Sequence, residues 1–417
     1  MKFFRPYQVE GAARLAAAER LYLGDEPGLG KTRTALLAAV MAGAQRIAVA
    51  CPAIVRPQWA AEAALVAPGL DLHVASYSHL VVSPDARAAW RRIAPDTIIL
   101  DEAHFLKNRE SKRTQVLLAS DTGLVMDVPH VWPLSGTPMP RHPGELFAIL
   151  YALWRPQLAA IGLKGYMEFL NRFAVYRATQ HGIRVYKAKN VPQLKLLLAP
   201  ILLRRRVRDV APELPSLRFG VLPLSVDDLA KLDLSELPLE TVQAIERGEL
   251  PPMDPHIARV RHQIGNLKAP AVAELVQDEL EHTDEKRVIF YHHRSVGDVL
   301  LAKLHRYGVA RIDGETPEAQ RTVNRLAFAD ATHVRVLLAQ IETCAVGMDG
   351  IQKACHEAIM VEPAWDSMYN EQAGRRLARL GQTLPVDVRM IALAGTLDDA
   401  IVRNHHREVT MRLEVVG

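Results

Sequence analysis

No stretch of this sequence is apolar for long enough to cross a bilayer: charge or proline interrupts every hydrophobic run short of the ~18 residues a span needs. The first residues, MKFFRPYQVEGAARL, contain neither an unbroken apolar segment nor a small-residue cleavage site, so no secretory leader is expected. Cysteine is scarce. Cys51, Cys344 and Cys355 make no CxxC pair, which indicates no cysteine metal site and fits buried thiols in a reducing compartment. Internal repeats and low-complexity tracts are missing. A cytoplasmic location with no membrane association is expected. Nor is there a large charge excess: the formal net charge is +4, and the pI of 8.9 leans only weakly toward a polyanionic partner, so local placement has to carry that argument.

The chain has 417 residues, 49% hydrophobic and 24% charged, the composition of a folded globular protein. Because single cores stop growing at roughly 250 to 300 residues, two large domains are expected. Short apolar runs alternate with helical-period segments in two zones, the pattern of parallel-sheet α/β structure. The first zone has strand candidates at 20–23, 46–51, 72–76, 97–100 and 131–134. The second has them at 288–291, 309–312, 334–339, 358–361 and 386–393. Between them lies helical periodicity with few strand signals, and the stretch 232–255 reads as the most flexible loop. The expected division is a first lobe over 1–150, helical insertions and linker over 151–280, and a second lobe over 281–417.

In RLYLGDEPGLGKTRTALLAAVMAGA an apolar strand precedes a glycine-rich turn, then Gly30, Lys31 and Thr32, then a helix-forming run. This is P-loop order: converging backbone N–H groups around Gly28 and Gly30 cradle phosphates, Lys31 reaches the outer phosphates, and the Thr32 hydroxyl can ligate magnesium. The generic GxxxxGK[ST] pattern is broken at its first position, where Asp25 stands for glycine. Further on, DTIILDEAH ends an apolar strand in Asp101 and Glu102. Acids at the carboxyl end of a parallel strand face the same crevice as the phosphate loop, so Asp101 can hold magnesium while Glu102 orients and deprotonates the attacking water. Together these motifs point to NTP hydrolysis.

PLSGTPMP, with Ser135 and Thr137, is by itself a turn. In QAGRRLARLGQ, helical spacing predicts that Gln372, Arg376 and Arg379 share one face. A basic face paired with acids is one reading; the other is a cation supplied to the transferring phosphoryl group, worth ~10³ to 10⁵ in rate. Arginines carried by the second lobe make hydrolysis depend on lobe closure.

In order and wording these segments resemble a Swi/Snf-type ATPase of helicase superfamily two. FRPYQVEG resembles its adenine-reading Q motif, with Arg5 and Gln8 in place, and DEPGLGKT resembles DEMGLGKT, which also carries aspartate at the position of Asp25. CPAIVRPQW, VASYSHL, DEAHFLKN, SGTPMP, LLRRRVRDVAPELP, RIDGETPEAQR and ETCAVGMDGIQKA follow in the family's order. Segments such as IARVRHQIGNLKAPAVAEL look nearest to the annealing-helicase branch and its small bacterial or phage relatives. ETCAVGMDG departs from the family's more serine- or glycine-rich loop and carries Asp349 where leucine is usual, a departure that bears on the coupling role of Gly347 and Asp349.

The resemblance implies two RecA-like lobes, each a mostly parallel sheet flanked by helices, with helical insertions between them. It implies ATP and Mg²⁺ as cofactors and double-stranded or branched DNA as partner, contacted by Pro52, Arg56, Gln58, Trp59, Ser76 and Tyr77 on the first lobe. On the second lobe the implied contacts are His292, Arg294, Gly314, Thr343 and Gly347. For Trp59 and Tyr77 a place in the core is the competing reading, and for the run Arg204 to Arg206, with Arg208, a solvated face or internal ion pairs compete with a phosphate contact. The expected protein is a monomeric bare motor in a bacterial or phage-infected cell, nucleoid-associated and recruited by an accessory protein. It translocates on duplex DNA, with possible outputs in remodelling, reannealing or repair of DNA. The alternatives are a strand-separating or branch-migrating helicase, and an ATP-gated clamp that does not step.

Overall fold

The computed structural model describes residues 4–179, 182–225, 232, 237–247, 249–251, 253–344, 350–379 and 381–417. The strands are β1 (Tyr22–Leu23), β2 (Arg46–Cys51), β3 (Asp71–Ser76), β4 (Thr97–Asp101), β5 (His130–Leu134), β6 (Ala174–Thr179), β7 (Gly182–Ala188), β8 (Leu202–Leu203) and β9 (Leu217–Leu224). They continue with β10 (Arg287–Tyr291), β11 (Val309–Ile312), β12 (Val336–Gln340), β13 (Glu357–Met360) and β14 (Val386–Leu393). One six-stranded sheet runs β3-β2-β4-β5-β1-β8 and another runs β11-β12-β10-β13-β14-β9. Every pairing within both sheets is parallel. The expected class, two parallel-sheet α/β lobes, is what is observed.

Alternation along the strands explains how each sheet is covered. Ala48, Ala50, Ile98 and Leu100 enter one hydrophobic cluster, while Ile47, Val49, Cys51 and Ile99 enter a second on the opposite face. In the other lobe Val288, Phe290, Leu337 and Ala339 line one face, and Ile289, Tyr291, Val336 and Leu338 the other. Sheets buried on both faces require helices on both, and near-continuous apolar strands are the consequence.

The ten expected strands are all present, with ends moved by at most two residues; the first is reduced to Tyr22–Leu23 with a bridge from Arg20 to Val131. The middle of the chain differs from its reading. Two compact units divide at 211/212: the first comprises 1–211 with 410–417, the second 212–409. Residues 151–280 are thus shared between the lobes. Phe169, Phe173, Leu194 and Leu198 enter the first lobe's core, and Val272, Val276 and Leu280 of the helix Pro255–His282 enter the second's. The same stretch holds four strands. Gly220 and Pro223 concealed β9, which pairs only with β14 and lies at the sheet edge, where a proline costs no ladder bond. Within 232–255, expected as a loop, a helix forms at Leu239–Glu246. Among the described residues no helix is long and apolar enough to cross a membrane.

Candidate nucleotide and nucleic-acid sites

In the first unit five of the motifs sit just beyond the carboxyl ends of parallel strands: the phosphate loop after β1, Pro52 after β2, Tyr77 after β3, Glu102 after β4 and Ser135 after β5. That edge is where open α/β sheets bind ligands. Gly28 (φ 96°) and Gly30 (φ 75°) take left-handed backbone in the loop, and Gly30 opens the helix Lys31–Met41. A side chain at Gly30 would also strike Gln8, its Cβ falling 2.4 Å from the amide nitrogen. Gln8 is buried, donating from Nε2 to the Leu29 carbonyl (3.1 Å) and accepting from the Arg5 amide (2.9 Å). The expected adenine reader therefore braces the phosphate loop, with part of its amide still unused. The Arg5 side chain is exposed.

Lys31 donates from Nζ to the Asp25 carbonyl, 3.0 Å away. Desolvation lowers its pKa against the opposing pull of Glu102, Asp25 and Asp101. Asp25 is fully buried and receives the Arg205 backbone amide and Nε, both at 3.0 Å, together with Nη2. Arg205 also donates to the Tyr7 carbonyl, and its path past the first helix requires Gly11, where a Cβ would lie 2.3 Å from Nη2. Arg204 donates to the carbonyls of Gly24 (2.7 Å) and Gly136 (3.2 Å). Of the two readings of the arginine run, internal pairing describes Arg204 and Arg205: Arg204 ties the start of the phosphate loop to the SGT turn, and Arg205 ties Asp25 to the first helix at Tyr7. Close packing at that junction explains Gly136, whose Cβ would stand 2.6 Å from Pro27.

Asp101 ends β4 with both oxygens engaged, Oδ2 by Trp59 Nε1 (2.7 Å) and Oδ1 by the Glu102 amide (2.9 Å), and its carbonyl accepts from the Tyr77 hydroxyl (2.7 Å). Burial first, then the neighbouring Glu102, pushes its pKa up to about 6. Trp59 and Tyr77 were expected at a nucleic-acid groove. They are instead 1% and 4% exposed, buried because each must reach the acid at the strand end. Ser76 is buried too, capping the helix Tyr77–Val82 by accepting from the His79 amide. Of the six first-lobe positions, Arg56 and Gln58 stand exposed on the surface and Pro52 is half-buried.

Glu102 adopts a left-handed backbone (φ 49°, ψ 50°), a conformation that costs a non-glycine residue ~1 kcal/mol or more and clusters at functional sites. Its carboxylate lies 3.2 Å from His104 Nδ1, which is also 2.9 Å from the Ser135 hydroxyl. Ser135 in turn accepts from the Thr137 amide. The weak SGT turn is thereby joined to the acid strand through His104, a link that the motif reading had not assigned. The oxygen donors present, the Asp101 carboxylate and the Thr32 hydroxyl, are the kind that a hard cation such as Mg²⁺ takes.

The second unit repeats the arrangement. Gln340, at the end of β12, donates to the His292 carbonyl (3.0 Å) and accepts from the Gly314 amide (2.9 Å), with the Thr343 hydroxyl 3.4 Å away. Three expected nucleic-acid residues are gathered by a side chain that sequence reasoning passed over. Arg294 is exposed and paired with Glu315. Gly347 and Asp349 lie outside the described residues. Buried Glu362, beyond β13, accepts from the amides of His292 and His293 (both 2.9 Å) and pairs with His293 Nδ1 (2.6 Å). Burial, with Arg261 and His293 nearby, depresses the pKa of His292 to about 4, and the largely exposed Glu342, 3.5 Å from Nδ1, does not offset this. His292 is therefore neutral at physiological pH. Because its folded pKa lies below the unfolded value near 6.5, its contribution to stability is complete above pH ~6.5 and is lost as pH falls toward 4. We expect His292→Gln to lessen acid destabilisation of the second lobe by up to roughly 3 kcal/mol, read from urea unfolding at pH 7 and 4.5. Equal pH slopes in parent and variant would contradict the assignment.

The expected helical face of Gln372, Arg376 and Arg379 is not continuous. The helix Ser367–Gly374 ends before either arginine, and Arg376 and Arg379 lie on the turns that follow; Gly374 packs so closely on Phe219 that a Cβ there would stand 2.9 Å from the ring. Arg379 Nε donates to the Arg375 carbonyl (3.3 Å), and burial lowers its pKa to about 10, which leaves it charged at neutral pH.

A glycine turn of phosphate-loop type, an acid pair and an SGT turn thus stand on one parallel sheet, and residues 66–232 match the SNF2-related domain. The resemblance to SNF2-type helicase-like ATPases of superfamily two is borne out. The chain is 29% identical to the SWI/SNF-related matrix-associated actin-dependent regulator of chromatin subfamily A-like protein 1 homolog of Caenorhabditis elegans, over 99% of this chain and 61% of that protein. It is 27% identical to the Xenopus tropicalis protein of that name (94% of this chain, 43% of that protein) and 25% identical to the mouse DNA annealing helicase and endonuclease ZRANB3 (97% and 40%). The chain thus spans between 40 and 61% of the length of these relatives. Among solved structures, the Sulfolobus solfataricus SWI2/SNF2 ATPase core in complex with dsDNA aligns with a TM-score of 0.44 at 19% identity, over 96% of this chain and 90% of that one.

Proposed function

We propose that this protein is a DNA-dependent ATPase that translocates along double-stranded DNA. The observation that carries the chemistry is the acid pair: Asp101 fixed by Trp59, Tyr77 and the Glu102 amide, with Glu102 held open in a left-handed turn beside the phosphate loop. ATP would lie on the loop, with Lys31 on its outer phosphates and Thr32 and Asp101 holding Mg²⁺, which supplies charge neutralisation. Glu102 takes the proton of the attacking water, and His104 holds that carboxylate in register with Ser135. Support for DNA as the track comes from the SNF2-related match and from relatives named for acting on DNA and chromatin. Rewinding of strands is the second reading, favoured by the likeness to an annealing helicase. Strand separation and a non-stepping clamp remain the alternative outputs, and action as a cytoplasmic monomer recruited by another protein belongs to the same proposal.

The deciding experiment compares ATPase rates on duplex, forked and single-stranded DNA and on RNA, alongside displacement of a triplex-forming strand. Stimulation by duplex with displacement is expected; turnover without displacement would sink translocation and favour the clamp. Glu102→Gln should keep ATP and DNA affinity while turnover falls by ~10² or more. Near-parent hydrolysis by that variant would mean that another group is the base.

A further inference from the structure

On the same edge of the first sheet, outside the nucleotide site, lies a cavity of about 420 Å³. Pro52, Val81, Val82 and Phe105 form its apolar walls, and Lys112 and Arg113 stand at its rim. A volume of this size is within the range of small-ligand pockets, about 300 to 1,000 Å³. Three features of it are unusual for a passive surface crease. Val82 is 74% exposed, so an aliphatic side chain is left facing solvent at the wall. Lys112 and Arg113 form no ion pair among the described residues, whereas Arg33, Arg205, Arg287 and Arg389 are all paired with carboxylates. Arg113 is instead held over the Phe105 ring, 5.5 Å from its centroid. Finally, Phe105 is stacked on Tyr77 (6.2 Å, 19°), the residue whose hydroxyl holds the end of the Asp101 strand.

An aromatic and aliphatic wall with unpaired cations at the rim is complementary to a flat, apolar ring attached to phosphates. Single-stranded nucleic acids are bound in this way, with bases stacked on aromatic rings and the backbone on cations. A base inside a duplex cannot enter, because its faces are already stacked. We propose that the Phe105 cavity receives one unpaired nucleobase of the bound DNA, with its flanking phosphates on Lys112 and Arg113. This inference rests on the DNA reading above and adds to it a seat for a single unpaired base, outside the nucleotide site. Because Phe105 bears on Tyr77 and follows Glu102 in the chain, occupancy of the cavity acts on the residues that position both acids, giving unpaired DNA a route to stimulate hydrolysis.

The full chain is titrated with three versions of one oligonucleotide duplex: fully paired, with a single unpaired 2-aminopurine, and with an abasic unit at that position. The abasic version keeps the backbone irregularity and removes only the base. The unpaired base should bind about 10-fold tighter than the abasic unit, with quenched 2-aminopurine fluorescence and correspondingly greater stimulation of ATPase. Val82→Glu, which sets a negative charge on the exposed wall, should bring that ratio to within about twofold. Equal affinities for base and abasic DNA, or a preference that survives Val82→Glu, would overturn the proposal and leave the cavity to some other occupant, such as a segment of a partner protein. If even the paired duplex fails to bind, the DNA reading itself falls, a result distinct from binding all three alike.

Discussion

Arg205→Ala should destabilise the first lobe by about 3 to 5 kcal/mol and weaken ATP binding more than 10-fold, although Arg205 is assigned no contact with nucleotide. The size follows from burial. Asp25 is fully buried and the Arg205 side chain is 10% exposed, so removing the guanidinium leaves a carboxylate with no water to replace it. Loss of nucleotide affinity follows from place, since Asp25 is the first residue of the phosphate loop and its carbonyl is the perch of Lys31. Asp25→Gly restores the generic P-loop residue, yet it should be nearly as damaging, because it strands the arginine instead. Asp25→Gly/Arg205→Met removes both charges and should recover a large share of the loss, as replacement of buried pairs by apolar groups generally does. Urea unfolding and titration with a fluorescent ATP analogue read the two effects. DNA affinity should keep its salt dependence in Arg205→Ala, since the side chain is committed internally. A variant with parent-like unfolding and nucleotide affinity would show that the clamp is idle.

The same pair marks where the sequence was readable. Asp25 looked like a departure from the P-loop pattern until the family wording made it regular, but its physical reason is Arg205, which lies 180 positions away. A long-range buried pair leaves no local periodicity to find. Strands were legible because each is a run of apolar residues buried on both faces, and the phosphate loop, Asp101 and Glu102 because they follow such runs directly. Gln340 and Glu362 obey that rule and could have been found by it: each is the first strongly polar residue beyond an apolar strand of the second lobe. Trp59 and Tyr77 show its limit. Their motifs lie at the functional edge, but the side chains turn inward to hold Asp101, and direction cannot be read from spacing. Helical spacing also failed after Gly374, where the helix ends before Arg376 and the chain continues in turns.

Arg376→Ala and Arg379→Ala should each lower ATP turnover by ~10³ or more while ATP affinity changes by less than about 10-fold. The arginines placed beside the phosphate loop are committed: Arg204 to two carbonyls, Arg205 to Asp25, and Arg33 to Glu62. Lys31 is then the one cation proposed for the phosphates on this lobe, and a transferring phosphoryl group spreads charge over three oxygens. Guanidinium geometry should matter as well as charge, so Arg376→Lys and Arg379→Lys should recover little, whereas guanidinium ion added to either alanine variant should restore part of the rate. The two positions are distinguishable. Arg379 is half-buried and tied to the Arg375 carbonyl, so its loss should also cost fold stability, about 1 to 3 kcal/mol by unfolding. Should Arg376→Ala alone respond to added guanidinium, Arg376 is the finger and Arg379 positions the turn that carries it. Turnover within about threefold of the parent in both folded variants would exclude this segment from the reaction and return the transition-state charge to Lys31 and the metal.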